Sequence, residues 1–227
     1  MSGTLFVIAT PIGNLEDITL RALRVLKEVD LVACEDTRVT GKLLAHYEIK
    51  KSLISYNAHA SEGKHAKILD VLRDGKSVAL VSDAGTPTIS DPGSMLVEMV
   101  RRELPEVLVV SVPGASALTA ALSISGVPSS EFLFLGFLPH KKGRETLFTE
   151  IASAERPVVF YESSHRILKA LESLSQKLLP ERTVTVCREV TKLFEETVKG
   201  SATEVLQYYQ SHSDKVRGEF VVIVSKN

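Results

Sequence analysis

Between Thr4 and Val112 the chain repeats one pattern: a short run of apolar, β-favouring residues, a loop, then a stretch with helical spacing. The apolar runs are Thr4 to Ala9, Leu31 to Cys34, Leu53 to Tyr56, Ser77 to Val81 and Leu108 to Val112. Strands that are apolar throughout need cover on both faces, and helical crossovers supply it. The pattern therefore predicts a parallel sheet flanked by helices. These run from about Leu20 to Val29, through Leu43 and Leu44, from Glu62 to Arg73, and onward from Asp91-Pro92-Gly93. Asp91 is a good N-cap for the last of them, and proline suits the first helical position.

The second half has a different texture. A helix from about Ser116 to Ser125 precedes a strand from Phe132 to Gly136. A basic loop, a helix near Glu145 to Ala152, the strand Val158 to Tyr161 and a helix from Ser164 to Leu179 follow. Thr183 to Arg188 and Glu195 to Lys199 lie close enough to form an antiparallel pair. A helix through Leu206 and Tyr209 leads to a last strand, Phe220 to Val224. The expectation is an α/β protein of two lobes, 1–113 with a mostly parallel sheet and 114–227 with a mixed one. They meet near Pro113-Gly114.

In open α/β sheets, ligands bind beyond the carboxyl ends of the strands. Five loops at such ends collect unusual residues: Thr10 to Leu15, Glu35 to Arg38, Tyr56 to His59, Ser82 to Gly93 and Pro113 to Ser116. Turns need Gly, Pro, Asn and Asp for conformational reasons alone, but five at one sheet edge point to a site. No stretch matches the P-loop pattern, and no G-x-G-x-x-G follows a strand, which argues against a Rossmann-type nucleotide site. The small residues and backbone amides of the long fourth loop, beside a helix start, suit a carboxylate. Asp83 could receive an ammonium group or cap its own turn; Ser116 could bond a ligand or cap its helix. The chemistry leads to a zwitterionic ligand between two lobes.

Charge narrows the partner. With 27 basic and 28 acidic residues, the net charge of −1 argues against broad coating of a polyanion. Two local basic stretches remain, Arg38 to Lys51 and His140 to Arg144. No apolar run reaches the roughly 20 residues that span a bilayer, and Met1-Ser2-Gly3 leading straight into an apolar run is not expected of a secretory signal. Cys34 and Cys187 read as reduced, buried thiols of a cytoplasmic protein. No Cys/His spacing suggests a metal.

Eight ordered motifs carry a resemblance over nearly the whole chain: ATPIGNLEDIT from Ala9, EDTR from Glu35, SDAGTPTISDPG from Ser82, PGASA from Pro113, GFLP from Gly136, FYESSHR from Phe160, REVTK from Arg188 and GEFVVIV from Gly218. The chain resembles the tetrapyrrole-methylase-like superfamily of S-adenosylmethionine-dependent methyltransferases, and within it the branch that modifies small-subunit ribosomal RNA. The resemblance implies a homodimer, no metal, and S-adenosylmethionine folded in the cleft between lobes. It also implies 2′-O-methylation of a cytidine in the decoding region of 16S rRNA, within the small ribosomal subunit, leaving S-adenosylhomocysteine.

The family's cofactor positions fall here on Pro11, the stretch Gly85 to Ser90 (Gly85, Thr86, Ile89 and Ser90 among them), Ser116 and Ala117. Asp83 joins them for its charge, and Tyr161 and Glu189 come from the second lobe. A ribose hydroxyl is a weak nucleophile, so a base or cation should assist its proton loss. Glu162, Glu189 and Lys192 are the candidates; Lys192 would be a base if its pKa were depressed and a phosphate clamp if not. Arg38, Asn57, His59, Lys141, Lys142, Arg144 and Arg166 are expected to meet RNA, chiefly its phosphates. Each has a plainer alternative as a salt bridge, a structural hydrogen bonder or a solvated surface group. Some relatives carry a segment beyond the strand ending at Val224; if that segment helps to grip the ribosome, affinity here is expected to come from elsewhere. Rival readings are a methyltransferase for a small molecule such as a tetrapyrrole precursor, favoured by the near-neutral charge, and a cofactor sensor without catalysis.

Overall fold

A computed structural model describes residues 3–56, 62–91 and 93–226. The chain divides into two compact units, 1–116 and 117–227.

The first unit holds a five-stranded, all-parallel sheet: β1 (Thr4–Ile8), β2 (Leu31–Cys34), β3 (Leu53–Ser55), β4 (Ser77–Val81) and β5 (Leu108–Val112), in the order β3-β2-β4-β1-β5. Successive residues along each strand point to opposite faces, and both faces are apolar. One bears Leu5, Leu31, Ala33, Ile54, Val78 and Leu80 and packs against α3 (Glu62–Arg73) and α4 (Gly93–Glu103) through Ile68, Leu69, Leu72, Leu96 and Val100. The other bears Ile8, Val32, Cys34, Ala79, Val81 and Val112. It meets α1 (Leu20–Glu28) through Ala22, Val25 and Leu26, and α2 (Thr37–His46) through Leu44. Burying each such aliphatic side chain contributes about 1.5–3 kcal/mol. The edge strand β5 is less covered than its apolar sequence suggests, with Leu108 61% exposed. A parallel neighbour lies on only one of its sides.

Caps set the helix starts. The Thr19 hydroxyl accepts from Ala22 N at 3.0 Å to open α1, and the Asp36 carboxylate accepts from Arg38 N at 2.8 Å to open α2.

The second unit holds a mixed sheet in the order β6-β7-β10-β8-β9: β6 (Leu133–Phe137), β7 (Val158–Ser163), β8 (Thr183–Arg188), β9 (Glu196–Ser201) and β10 (Glu219–Val224). Only β6 and β7 pair in parallel; β8 and β9 form the expected antiparallel pair. One face packs on α6 (Arg144–Ser153), α7 (Ile167–Lys177) and α8 (Ala202–Ser211) through Phe148, Leu171, Leu174 and Val205. Against the other lies α5 (Ala117–Ser125), where the Cys187 thiol sits 3.8 Å from the Ala121 carbonyl. Two helices begin later than their apolar spacing implies. α5 starts at Ala117. α7 starts at Ile167, because residues 163–166 form a turn in which Arg166 N donates to Ser163 O at 3.0 Å. Among the described residues no helix is long and apolar enough to cross a membrane.

Arg182 is 1% exposed and has no carboxylate partner in its hydrogen-bond set. Its guanidinium instead donates to the carbonyls of Ser225 at 3.0 Å, Ile151 at 2.9 Å and Ala152 at 2.7 Å. It thus ties the end of α6 to the strand end after β10, and a buried carbonyl left without its donor costs about 1–3 kcal/mol. Arg182→Met should lower unfolding free energy by about 3 kcal/mol, read as a shifted urea midpoint. An unchanged midpoint would remove this staple from the account.

Candidate active site

The strand order of the first unit reverses between β1 and β4. The connection leaving β1 passes over β4 to reach β2, and the connection leaving β4 passes over β1 to reach β5, on opposite faces. Such a switch point opens a crevice at the carboxyl ends of the two strands. The loops that leave it are pinned together. Thr10 N donates to Gly85 O at 2.9 Å and Gly85 N to Thr10 O at 3.0 Å, and the Thr10 hydroxyl donates to Ser82 O at 3.2 Å. Gly85 adopts φ +79°, and a Cβ there would lie 3.2 Å from Ile12 Cγ2. The Thr86 hydroxyl donates to the Ala115 carbonyl at 3.1 Å, which brings in the loop after β5.

Asp91 organises the rest of the long loop. Its two oxygens accept from Thr88 N and Gly93 N, each at 2.8 Å. Thr88 is thereby held at φ +78°, a conformation that costs a non-glycine residue about 1–3 kcal/mol and tends to occur at functional sites. Pro11 is buried and Thr86 half-buried, while Ile89 and Ser90 are exposed on the same loop. Ser116 precedes α5 and Ala117 is that helix's first residue.

Acidic groups line the neighbouring strand ends. Asp83 Oδ1 accepts from Asp36 N at 3.0 Å, joining the loop after β4 to that after β2. Burial pushes the Asp83 carboxyl up, with the Asp36 charge adding to it against the Asp36 hydrogen bond. Burial likewise raises Glu35, helped by the charges of Asp83 and Asp91. Asp36 is the opposite case: hydrogen bonds from Arg38 bring it down to about 2. Arg38 holds that carboxylate at 2.6 Å, yet its side chain is 86% exposed, so its outer edge stays open to a second anion. Asn57 and His59 lie outside the described residues.

The second unit gathers its candidates at two places. Lys192 Nζ bridges Glu189 Oε1 at 2.9 Å and Glu219 Oε2 at 2.8 Å, and Glu219 N donates to Glu189 Oε1 at 2.9 Å. Burial alone would lower the Lys192 pKa, but the hydrogen bonds to Glu219 and Glu189 outweigh it and raise the pKa. The two carboxylates thus favour the ammonium form of Lys192. Glu189 sits at φ +51° with its carboxyl lowered: burial opposes ionisation, and the Lys192 and Glu219 hydrogen bonds prevail. Gly218, at φ +89°, packs so closely that a Cβ would lie 2.4 Å from Glu189 Cδ. Gly218 and Glu219 were legible only as part of the GEFVVIV motif; their role needs β10 beside β8.

The other place is Glu162, expected among the groups that assist proton removal. The structure gives it inward partners instead: it is 1% exposed, with Arg144 Nη2 at 2.8 Å and Arg166 Nε at 2.8 Å. Arg144 and Arg166, expected at RNA, show only 12% and 15% of their side chains. Lys141 and Lys142 are exposed. Tyr161 is half-buried against the rings of Phe134 and Phe137, at 5.0 and 5.3 Å, and burial raises its hydroxyl pKa. Among the described residues no cluster of His, Cys, Asp and Glu could hold a metal.

A depressed carboxyl stabilises the fold above its ordinary pKa, and that contribution fades as pH falls through the lowered value. Gly218→Ala should push Glu189 away from Lys192 and Glu219 N, returning its carboxyl toward the ordinary value near 4.5. The check is NMR titration of the Glu189 carboxyl. A titration curve identical to that of the unsubstituted protein would contradict the close packing.

Residues 4–206 match the family of Tetrapyrrole (Corrin/Porphyrin) Methylases. A Thermotoga maritima protein named ribosomal RNA small subunit methyltransferase I is 47% identical over 223 residues, 98% of each chain. A Halalkalibacterium halodurans protein of the same name is 44% identical, over 99% of this chain and 76% of its own. Among solved structures, the uroporphyrin-III C-methyltransferase of Thermus thermophilus complexed with S-adenosyl homocysteine superposes with a TM-score of 0.65 at 22% identity, over 98% of this chain and 97% of its own. The methyltransferase CobJ gives a TM-score of 0.70 at 20% identity, over 99% and 95%. The chain belongs to the tetrapyrrole methylase family, in its ribosomal RNA small subunit methyltransferase I branch.

Proposed function

We propose that this chain transfers a methyl group from S-adenosylmethionine to the 2′-oxygen of a cytidine ribose in the decoding region of 16S rRNA, within the small ribosomal subunit. The observation that carries the reading is the 47% identity, along 98% of both chains, to a relative named for small-subunit rRNA methylation. The proposal includes a homodimer that works in the cytoplasm, as the resemblance in the sequence implies.

The loops of the first unit fit such a cofactor. Gly85 turns at φ +79°, where a Cβ would be strained and would crowd Ile12, so the shape of this loop depends on glycine. The Asp83 carboxyl, raised by burial, gains from a cationic partner such as an ammonium. Pro11, Gly85, Thr86, Ile89, Ser90, Ser116 and Ala117 are the proposed contacts, and the family resemblance adds Tyr161 and Glu189.

Bound, the cofactor supplies a methyl group on a sulfonium. The ribose oxygen would take that methyl group as the sulfur–carbon bond gave way, with S-adenosylhomocysteine left behind and the hydroxyl proton lost to solvent or a base. Alignment by the protein can lower the barrier by about 7–11 kcal/mol. Lys192, held as an ammonium by two carboxylates, stabilises negative charge on the attacking oxygen or on a neighbouring phosphate. Arg38, Lys141 and Lys142 offer exposed positive charge to the RNA backbone. With contacts this sparse, the assembled shape of the subunit carries recognition.

The deciding experiment is transfer of labelled methyl to undermodified small subunits, with naked 16S rRNA and a tetrapyrrole precursor in parallel. Label at a bond resistant to alkaline cleavage establishes ribose methylation, and label on the precursor alone overturns it. Gly85→Val should weaken S-adenosylmethionine binding at least ~10-fold by filling the turn; an unchanged titration refutes that placement. Lys192→Ala should slow single-turnover transfer by about 10²-fold while cofactor affinity holds, and an unaltered rate would remove Lys192 from the chemistry.

A further inference from the structure

The basic loop between β6 and α6 is held from below by charge. Arg166 Nη1 donates to the Leu138 carbonyl at 2.8 Å and Arg144 Nη1 to the Pro139 carbonyl at 3.2 Å. These are the two residues from which the loop departs. Both guanidiniums are themselves fixed by one carboxylate, that of Glu162 at the end of β7. Glu162 Oε1 also accepts from Ser163 N at 2.8 Å, and the Arg144 guanidinium lies 5.1 Å over the Phe148 ring. Every member of the triad thus has its direction set by packing, and none presents more than 15% of its side chain. What the triad leaves outside is the loop itself: His140, Lys141 and Lys142 are all exposed.

A buried ion pair is weak evidence for stability, since apolar replacements of similar volume often do as well. Two arginines that share one carboxylate and spend further donors on adjacent backbone carbonyls give a different return: a loop in one conformation. A phosphate contact made by a lysine depends on where its stem starts, and ordering a free loop on binding would oppose affinity. We propose that Glu162 is a positioning residue for RNA binding: through Arg144 and Arg166 it holds the 139–143 loop so that Lys141 and Lys142 meet the phosphate backbone. This rests on the reading of the chain as an rRNA methyltransferase. It removes Glu162 from proton transfer and makes Arg144 and Arg166 struts rather than RNA-binding groups.

The test is a double-mutant cycle between Glu162→Gln and the pair Lys141→Ala/Lys142→Ala, on the full chain with small subunits as substrate. The paired lysine variant should weaken subunit binding and flatten its salt dependence, by about 0.7–0.9 in log–log slope for each phosphate that is no longer neutralised. Glu162→Gln should raise KM about 10-fold, with kcat, its pH profile and S-adenosylmethionine affinity unchanged, and should flatten the same slope. In the lysine-free background it should change nothing further. Additive effects would overturn the proposal, as would a fall in kcat with an altered pH profile. Unchanged binding in the lysine variant, with methyl transfer intact, would overturn it and leave the rRNA reading standing. Loss of that reading would instead appear as no label on RNA from the unsubstituted protein. Should Glu162→Gln fail to fold, Arg144→Gln, which keeps much of the stem over Phe148, answers through the same cycle.

Discussion

The reciprocal hydrogen bonds between Thr10 and Gly85 join two loops that leave the sheet in opposite directions. Without that bridge only the bond from the Thr10 hydroxyl to Ser82 O would join them. With it, the switch point between β1 and β4 has a continuous floor, extended by Thr86 to Ala115 and by Asp83 to Asp36. The bridge depends in turn on a glycine: a side chain at φ +79° would be strained as well as crowded by Ile12. Everything proposed about the cofactor in this unit relies on these few bonds, and they rely on a sheet whose two faces are sealed by helices.

The second unit uses charge for alignment at several places, among them Arg182, Glu162 and Lys192. Arg182 gathers backbone carbonyls at the far end of the sheet. Glu162 aims two arginines at the root of the basic loop. Lys192 sits between Glu189 and Glu219, with Gly218 pressed against the Glu189 side chain. Only the last keeps its cation part-exposed, its side chain at 28% against 15% or less for the arginines around Glu162. In the proposed mechanism that difference separates a group placed to meet substrate from groups that set the position of others.

Strand and helix order was legible because it depends on local apolar spacing. Runs such as Leu31 to Cys34 and Ser77 to Val81 could be satisfied only inside a covered parallel sheet, and the antiparallel pairing of β8 with β9 followed from their short connection. The loops at the carboxyl strand ends were legible too, because Gly85, Asp91 and their neighbours are residue types that ordinary helices and strands avoid. The motifs carried the family beyond what periodicity could reach. The delayed start of α7 was not legible, since Arg166 belongs to the helical pattern in sequence but is drawn to Leu138 and Glu162 in space.

What the sequence determined by itself was therefore the two-unit α/β architecture, the loops at the strand ends where the site is proposed, and the family. The architecture and the unusual strand-end loops follow from residue types and spacing along the chain, and the family from its motifs. Only the tertiary structure decided what each charged residue does. Glu162 and Glu189 both lie at strand ends and look alike in sequence, yet one is closed off by Arg144 and Arg166 and the other holds a part-exposed lysine. The proton affinity of Lys192, likewise, is raised against its burial by Glu189 and by Glu219, the latter 27 residues away along the chain. Desolvation and Coulomb energy depend on distances through space, which local sequence does not specify.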